Sequence, residues 1–198
     1  MEVLTKKIMT YAAELPEGVP LTAKELLHFG NRAAVDQALS RLVHRGKLLR
    51  IGRGIYVCPV ESRFGTRAPT ASKVIKAIVE QRGETVVLHG AAAANALGLT
   101  TQVPVREVYL TSGRSQRLKL GAQTVELRHA PNWQLVLSGR PAGEAVRALA
   151  WLGPKGSKEA LRTLARKLSK SELREIAAAR GHLPTWMAQE ISALVRNA

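Results

Sequence analysis

The chain has 198 residues, and 30 lysines and arginines against 15 aspartates and glutamates give a formal net charge of +15. Such a charge favours a polyanionic partner, because each neutralised phosphate releases counterions; a basic surface that serves solubility alone is the alternative. No apolar run approaches the roughly 18 residues that span a bilayer, and the single cysteine, Cys58, excludes a disulfide framework and a multi-cysteine zinc site. We therefore expect a cytoplasmic protein without a membrane partner.

The first 30 residues predict two helices separated by a stop. Apolar residues at helical spacing, from Val3 to Leu15, predict a helix over residues 2–14 with one buried face. The prolines and glycine of residues 16–20 end it. Thr22 then caps a predicted short helix over residues 23–29, in which Glu25 holds the capping-box position.

Residues 31–58 predict a longer amphipathic helix followed by a β-hairpin. Val35, Leu39 and Leu42 form one apolar stripe, and Asn31 suits the N-cap because its side chain can accept from a free amide of the first turn. The period then changes to two, which predicts strands over residues 48–51 and 55–58 joined at Gly-Arg-Gly. This order is typical of a winged helix-turn-helix, which we predict over residues 1–60.

In a winged helix-turn-helix, the outer face of the longer helix enters the DNA major groove. We predict base-edge contacts from Arg32, Gln37 and Arg41, because arginine pairs with guanine and glutamine with adenine. Backbone or other DNA contacts are predicted for Asn31, Ser40, Lys47, Arg50 and Arg53. Asp36 has two interpretations: it accepts from a cytosine amine, or it pairs with Arg32 within the helix.

The rest of the chain predicts a polar linker over residues 61–69 and a mixed α/β domain over residues 70–198. This domain begins with a helix over 71–81, and its sheet occupies residues 85–138. Within that sheet region, a helix of small residues over 90–97 suits close approach to the sheet. Strands are predicted over residues 85–89, 107–111, 116–120, 124–129 and 134–137. Helices fill residues 142–196, and the fold class is therefore α+β. The first of them ends at Trp-Leu-Gly-Pro (residues 151–154), the next covers residues 158–168, and the last begins at Pro184 and runs to Leu194 and Val195.

Alternation in the last two long strands predicts a second basic patch. Leu118, Leu120, Val125 and Leu127 share one face, whereas the opposite face carries Arg117, Lys119 and Arg128. An ordinary solvated sheet face is the alternative.

The distribution of carboxylates and histidines argues against an enzyme. Two-metal nucleases and nucleotidyltransferases need clustered carboxylates, but Asp36 is the only aspartate and no carboxylate pair stands at short spacing on one strand. The five histidines are scattered, and Cys58 falls in a core-facing strand, where a small buried hydrophobe is expected. We predict no catalytic residue, no metal and no cofactor.

Four short motifs resemble those of the AbiEi-type antitoxins, including their DUF6088 relatives. They are HGAAAANALGLTTQVP (residues 89–104), VYLTSG (108–113), LRHAP (127–131) and, in the predicted wing, RIGRGIY (50–56). The resemblance implies a repressor that binds inverted repeats in the promoter of its own type IV toxin–antitoxin operon. It also implies an antitoxin that opposes a nucleotidyltransferase-like toxin without a stable complex, and it leaves room for an oligomer on DNA.

Three rival interpretations remain open from the sequence. An RNA-binding module would use the basic sheet face and Trp133, although an aromatic content of 4% argues against recognition by stacking. An adaptor would block a toxin by direct binding. An enzyme would need an unrecognised glutamate-based site.

Overall fold

The computed structural model describes residues 2–63 and 65–196, the side chains of Glu2 and of residues 194–196 excepted. Phe64 of the predicted linker and the side chains of Leu194 and Val195, predicted at the end of the last helix, therefore lie outside the described part. Within these residues the fold is α+β, with eight α-helices and three small sheets. No helix in this part of the chain combines the length and the apolarity needed to cross a membrane.

The elements follow the chain in a mixed order. The helices are α1 (Glu2–Glu14), α2 (Arg32–His44), α3 (Ala71–Arg82), α4 (Gly90–Ala96), α5 (Asn132–Leu135), α6 (Pro141–Lys167), α7 (Lys170–Ala178) and α8 (Thr185–Arg196). The strands are β1 (Leu21–Thr22), β2 (Leu49–Gly52), β3 (Ile55–Val57), β4 (Val60–Ser62), β5 (Gly65–Arg67), β6 (Val86–Leu88), β7 (Glu107–Thr111), β8 (Gln116–Leu120) and β9 (Gln123–His129). They form sheets in the orders β1-β3-β2, β4-β5 and β6-β7-β9-β8.

The chain forms two compact units that do not follow the predicted boundaries at residues 60 and 70. Unit 1 comprises Met1–Glu84 and Gln116–Val125, and unit 2 comprises Thr85–Ser115 and Glu126–Ala198. Unit 1 thus includes α3, which lies beyond the predicted linker, and a distant piece of chain that carries β8 and the turn into β9. The predicted linker contains the β4–β5 hairpin, whose register pairs Val60 with Arg67.

The core of unit 1 lies between α1, α2 and the sheet β1-β3-β2. Its fully buried side chains include Ile8, Leu26, Leu39 and Leu48. The helix predicted over residues 2–14 is present with these bounds, but Val3, predicted on its buried face, is 67% exposed. Val3 lies in the first turn of α1, on the side that nothing in this core covers.

The short helix predicted over residues 23–29 is wrong, because this segment forms successive turns. Its amides bond to carbonyls three residues back, from Glu25 to Thr22 and from Leu26 to Ala23. Immediately before it, the two-residue strand β1 pairs with β3, which holds the chain extended up to Thr22. A seven-residue segment is too short to form a stable α-helix without strong packing. The predicted capping contact is nevertheless present, since the Glu25 carboxylate accepts from the Thr22 amide at 2.9 Å.

Unit 2 is built around the long helix α6. The alanine-rich α4, predicted against a sheet, packs instead against α6: a Cβ placed on Gly90 would lie 2.3 Å from the Arg147 carbonyl oxygen. Helix α6 breaks at Gly153 (φ 69°), as the sequence predicts, but its second half begins at Pro154, before the predicted residue 158. The strand predicted over 134–137 is wrong; Leu135 belongs to α5 and buries its side chain beside Val87 and Leu110.

Candidate nucleic-acid interface

Helix α2 packs against unit 1 through one apolar face and begins at an N-cap. Val35, Ala38, Leu39 and Leu42 are buried, as the stripe predicts. The Asn31 side chain accepts from the Ala34 amide at 2.9 Å, which confirms the predicted cap. Gly46 ends the helix in the left-handed conformation (φ 67°) that favours glycine. Packing of the buried stripe therefore fixes which face of α2 points outward, and the caps fix where the helix begins and ends.

The outer face of α2 presents polar side chains to solvent. Arg32, Gln37 and Ser40 are exposed, and Arg41 is partly exposed at the far end of the helix. Among the described residues, neither the Gln37 side chain nor the Arg41 side chain has a hydrogen-bond or ion-pair partner. A guanidinium and an amide presented on one helix face can donate to and accept from the base edges of a nucleic acid or donate to phosphates.

Arg32 differs from the other two predicted base readers, Gln37 and Arg41, because its side chain has a partner in its own helix. Its Nε donates to Asp36 Oδ2 at 2.8 Å, with both side chains largely exposed. This is the intrahelical pair that the spacing of four residues allows. Arg32 can therefore reach a ligand only if this exposed and weak pair opens or if its terminal nitrogens act alone.

The β2–β3 hairpin follows α2 closely and carries an arginine at its tip. Leu49 pairs with Val57 and Arg50 with Tyr56, and a register shift then places Gly52 opposite Ile55. Arg53 stands in the turn between two glycines, and Gly54 has the positive φ (69°) that the tight turn needs. The exposed side chains of Lys47, Arg50 and Arg53 lie along this arm. Arg50 Nε donates to the Gly52 carbonyl oxygen at 3.3 Å.

Charge is concentrated on this part of unit 1. Residues 31–58 contain six arginines and lysines but one acidic residue, Asp36, which already pairs with Arg32. In contrast, the basic residues of the following segment are held internally: the Arg67 guanidinium lies 3.8 Å from Glu17, and Lys73 also pairs with Glu17. The surface formed by α2 and the β2–β3 hairpin, which we call the α2–hairpin surface, can therefore attract an anion with little internal competition.

The predicted second basic patch is divided between the units. Arg117 and Lys119 lie exposed on β8 in unit 1, whereas Arg128 lies in unit 2 and pairs with Glu126 at 3.2 Å. Leu118, Leu120, Val125 and Leu127 are buried, as the alternation predicts. Within unit 1, β8 packs beside β2, and a Cβ placed on Gly52 would lie 3.5 Å from the Arg117 carbonyl oxygen. The sequence gives no signal of this proximity, because the two strands are far apart in the chain.

Two other residues considered in the sequence analysis, Cys58 and Trp133, pack against hydrophobic cores. Cys58 packs against the unit 1 core with its Sγ 3.5 Å from the Ala12 carbonyl oxygen, and burial raises the pKa of its thiol. A thiol in this state is a poor nucleophile. Trp133 packs against the helical core of unit 2. Within residues 2–63 and 65–196, no three histidine, cysteine, aspartate or glutamate side chains are grouped to hold a metal ion.

Residues 7–176 match a family described as a family of unknown function, DUF6088. The chain belongs to this family. No curated protein matches it. A solved structure, that of the RV2827C protein from Mycobacterium tuberculosis, is similar with a TM-score of 0.47 and 16% identity, over 98% of this chain and 76% of that one. A similarity this distant does not extend the assignment beyond the family.

Proposed function

We propose that the chain is a sequence-specific DNA-binding protein whose unit 1 acts as a winged helix-turn-helix and represses its own operon. The observation that carries the proposal is the α2–hairpin surface. A helix buried on one side turns a polar and basic face outward, and a hairpin with Arg53 at its tip follows directly. An α-helix fits the major groove, and an arginine carried on a glycine turn suits a minor groove or a phosphate.

In this mechanism the helix reads bases and the hairpin holds the backbone. Gln37 and Arg41 have amide and guanidinium groups without partners among the described residues, so they can form bidentate contacts with adenine and guanine. Asn31 remains occupied as the helix cap and is better suited to a phosphate contact from its backbone. Lys47, Arg50 and Arg53 then neutralise phosphates, which gives affinity for any duplex and fixes the register of α2.

We propose further that the protein is the antitoxin of a type IV toxin–antitoxin system with a nucleotidyltransferase-like toxin. This part rests on family membership over residues 7–176 together with the likeness of its motifs to AbiEi-type antitoxins. Cells that express a nucleotidyltransferase toxin encoded beside this protein should recover growth when this protein is co-expressed. The Arg41→Ala variant should also restore growth if antitoxicity and DNA binding are separate.

An RNA-binding module is less well supported. Single-stranded recognition depends on exposed aromatic rings, and Trp133, the aromatic residue that this alternative needs, packs against the core of unit 2. Competition of a labelled duplex by single-stranded RNA separates the two functions, because the proposed mechanism predicts that RNA competes only at low ionic strength.

The decisive experiment titrates the full chain against its own upstream region and against a scrambled duplex. Arg41→Ala should cost about 1–3 kcal/mol on the native duplex and little on the scrambled one, because a base contact is lost. Arg53→Ala should weaken both equally and reduce the salt slope by about one. Arg162→Ala, which removes an exposed arginine from α6 in unit 2, is the matched control.

Two results would contradict the proposal. One is a wild-type protein that binds the native and the scrambled duplex equally at moderate ionic strength. The other is a variant that combines Arg32→Ala with Arg41→Ala and still prefers the native duplex over the scrambled one. That result would show that helix α2 does not read the base sequence.

A further inference from the structure

Strand β8 brings two basic side chains to the edge of the α2–hairpin surface. Both β2 and β8 are edge strands of their own sheets, and they lie side by side within unit 1. The side chains of Leu118 and Leu120 are buried, so Arg117 and Lys119 at the alternate positions of β8 face outward. Arg50, on β2, is exposed on the neighbouring strand.

A cleft of about 880 Å³ lies in unit 1 between these strands and the end of α2. Its walls come from the C-terminal end of α2, the start of β2, residues 66–70 and the β8–β9 turn. Arg50 and Lys119 line it, together with Arg67, whose guanidinium lies near Glu17. None of the described side chains that line the cleft is acidic. The cleft is therefore a positively charged channel that begins where α2 ends.

The shape of the β8–β9 turn allows a bulky anion to approach. Gly121 and Ala122 form the turn and are exposed, and Gly121 has a positive φ (65°). These small residues add little bulk beside Lys119, which lines the cleft. A lysine acts as a mobile point charge that tolerates variable geometry, which suits contact with a polymer of phosphates better than reading of a base edge.

We propose that Arg117 and Lys119 form a second arm that binds the DNA phosphate backbone and continues the path started by the hairpin. This inference rests on the proposed function, since it assigns a further contact to the same ligand. Phosphodiester groups leaving the major groove beside α2 would pass from Arg50 to Lys119 along the cleft. The arm adds affinity without sequence preference, because its groups meet phosphates and not bases.

The test compares the double variant Arg117→Ala/Lys119→Ala with Lys158→Ala/Arg162→Ala, which removes one lysine and one arginine from the exposed side of α6. Binding to native and scrambled duplexes is measured across ionic strengths. The β8 variant should weaken binding to both duplexes by the same factor, on the order of tenfold, and reduce the salt slope by about 1.8. The α6 variant should leave the slope unchanged.

Arg117 also has an internal contact, so Lys119→Glu serves as a second variant that leaves it intact. This variant should weaken binding to both duplexes and lower the salt slope, whereas thermal unfolding should be unchanged. An unchanged slope in both β8 variants, with operator discrimination preserved, would overturn the second arm and leave the proposed function standing. A loss confined to the native duplex would also overturn it, because Lys119 would then read sequence. Failure of the wild-type chain to bind any duplex would instead reject the proposed function itself.

Discussion

The α2–hairpin surface of unit 1 and the C-terminal helices of unit 2 are both basic, but they arrange their cations differently. In unit 2 some cations bind the protein: Lys167 Nζ donates to the Leu97 carbonyl oxygen, Arg140 pairs with Glu175, and Arg180 donates to the Ala177 carbonyl oxygen. Others there, such as Lys158 and Arg162, have no side-chain partner among the described residues, and the same holds for Arg41 and Arg53 on the α2–hairpin surface. Neither net charge nor unpaired cations alone therefore identify a binding surface; what distinguishes the α2–hairpin surface is that its cations lie on one helix and on the hairpin that follows it directly.

Burial separates the regions as well. Helix α2 buries one stripe and leaves its outer face to solvent, whereas α6 is enclosed on several sides and even buries Arg147. Desolvation lowers the pKa of that guanidinium, and among the described atoms its Nε has no hydrogen-bond partner. Unit 2 thus carries the cost of buried polar groups inside its helical core, which favours a structural role for its helices.

The largest effect on stability should come from adding a methyl group where α4 packs closely against α6. Gly90→Ala would place a Cβ 2.3 Å from the Arg147 carbonyl oxygen and 2.7 Å from Trp151 Cβ, so the two helices must separate. We expect a loss of about 1–3 kcal/mol in the free energy of unfolding, measured by denaturant titration. Gly181→Ala is the control, because a Cβ there meets nothing within 4 Å. If both variants unfold like the wild type, the close packing of α4 on α6 is wrong.

The helix cap of α7 should give an intermediate effect. Ser169 accepts from the Glu172 amide, and its own amide and hydroxyl donate to the Glu172 carboxylate at 2.7 and 2.8 Å. Ser169→Ala should cost about 1 kcal/mol, whereas Ser171→Ala, at the neighbouring exposed serine, should cost less. Melting temperatures of both variants at neutral pH provide the comparison.

The same cap predicts how the stability difference between the wild type and Ser169→Ala depends on pH. The backbone and side-chain hydrogen bonds from Ser169 hold the pKa of Glu172 below its usual value of 4.5. A carboxyl whose folded pKa is lowered contributes stability above its unfolded pKa and loses it as the pH falls through the folded value. The gap between the wild type and Ser169→Ala should therefore narrow below about pH 4.5. A constant gap would show that the Glu172 carboxylate contributes nothing to the cap.

The smallest effect on stability should come from Asp36→Asn on α2. The pair with Arg32 is exposed, so its loss should cost only about 0.2–0.5 kcal/mol. Binding to both native and scrambled duplexes should tighten, because Arg32 is released and a negative charge leaves the surface. Glu159→Gln, which removes an exposed charge from α6, should leave binding unchanged. Weaker binding confined to the native duplex would show instead that Asp36 accepts from a base.

Local pattern determined the helix α2, its cap and the hairpin after it. The apolar stripe, Asn31 and the Gly-Arg-Gly turn each act within a few residues, so periodicity and capping chemistry suffice. Local pattern also predicted the buried face of β8 and β9 and the break of α6 at Gly153. The candidate reader Gln37 is exposed and Arg41 is partly exposed, because their helix positions lie off the buried stripe. What they bind stays a prediction.

Tertiary structure decided the features that depend on partners distant in the chain. Pairing of β1 with β3 kept residues 23–29 out of a helix, and packing on α6 gave the small residues of α4 a helix as their neighbour. Because β8 contacts β2, Arg117 and Lys119 belong to unit 1, whereas Arg128 belongs to unit 2, where it pairs with Glu126. The physical reason is common to all three: a short segment has little preference of its own, so its conformation and neighbours are set by the surfaces it can bury.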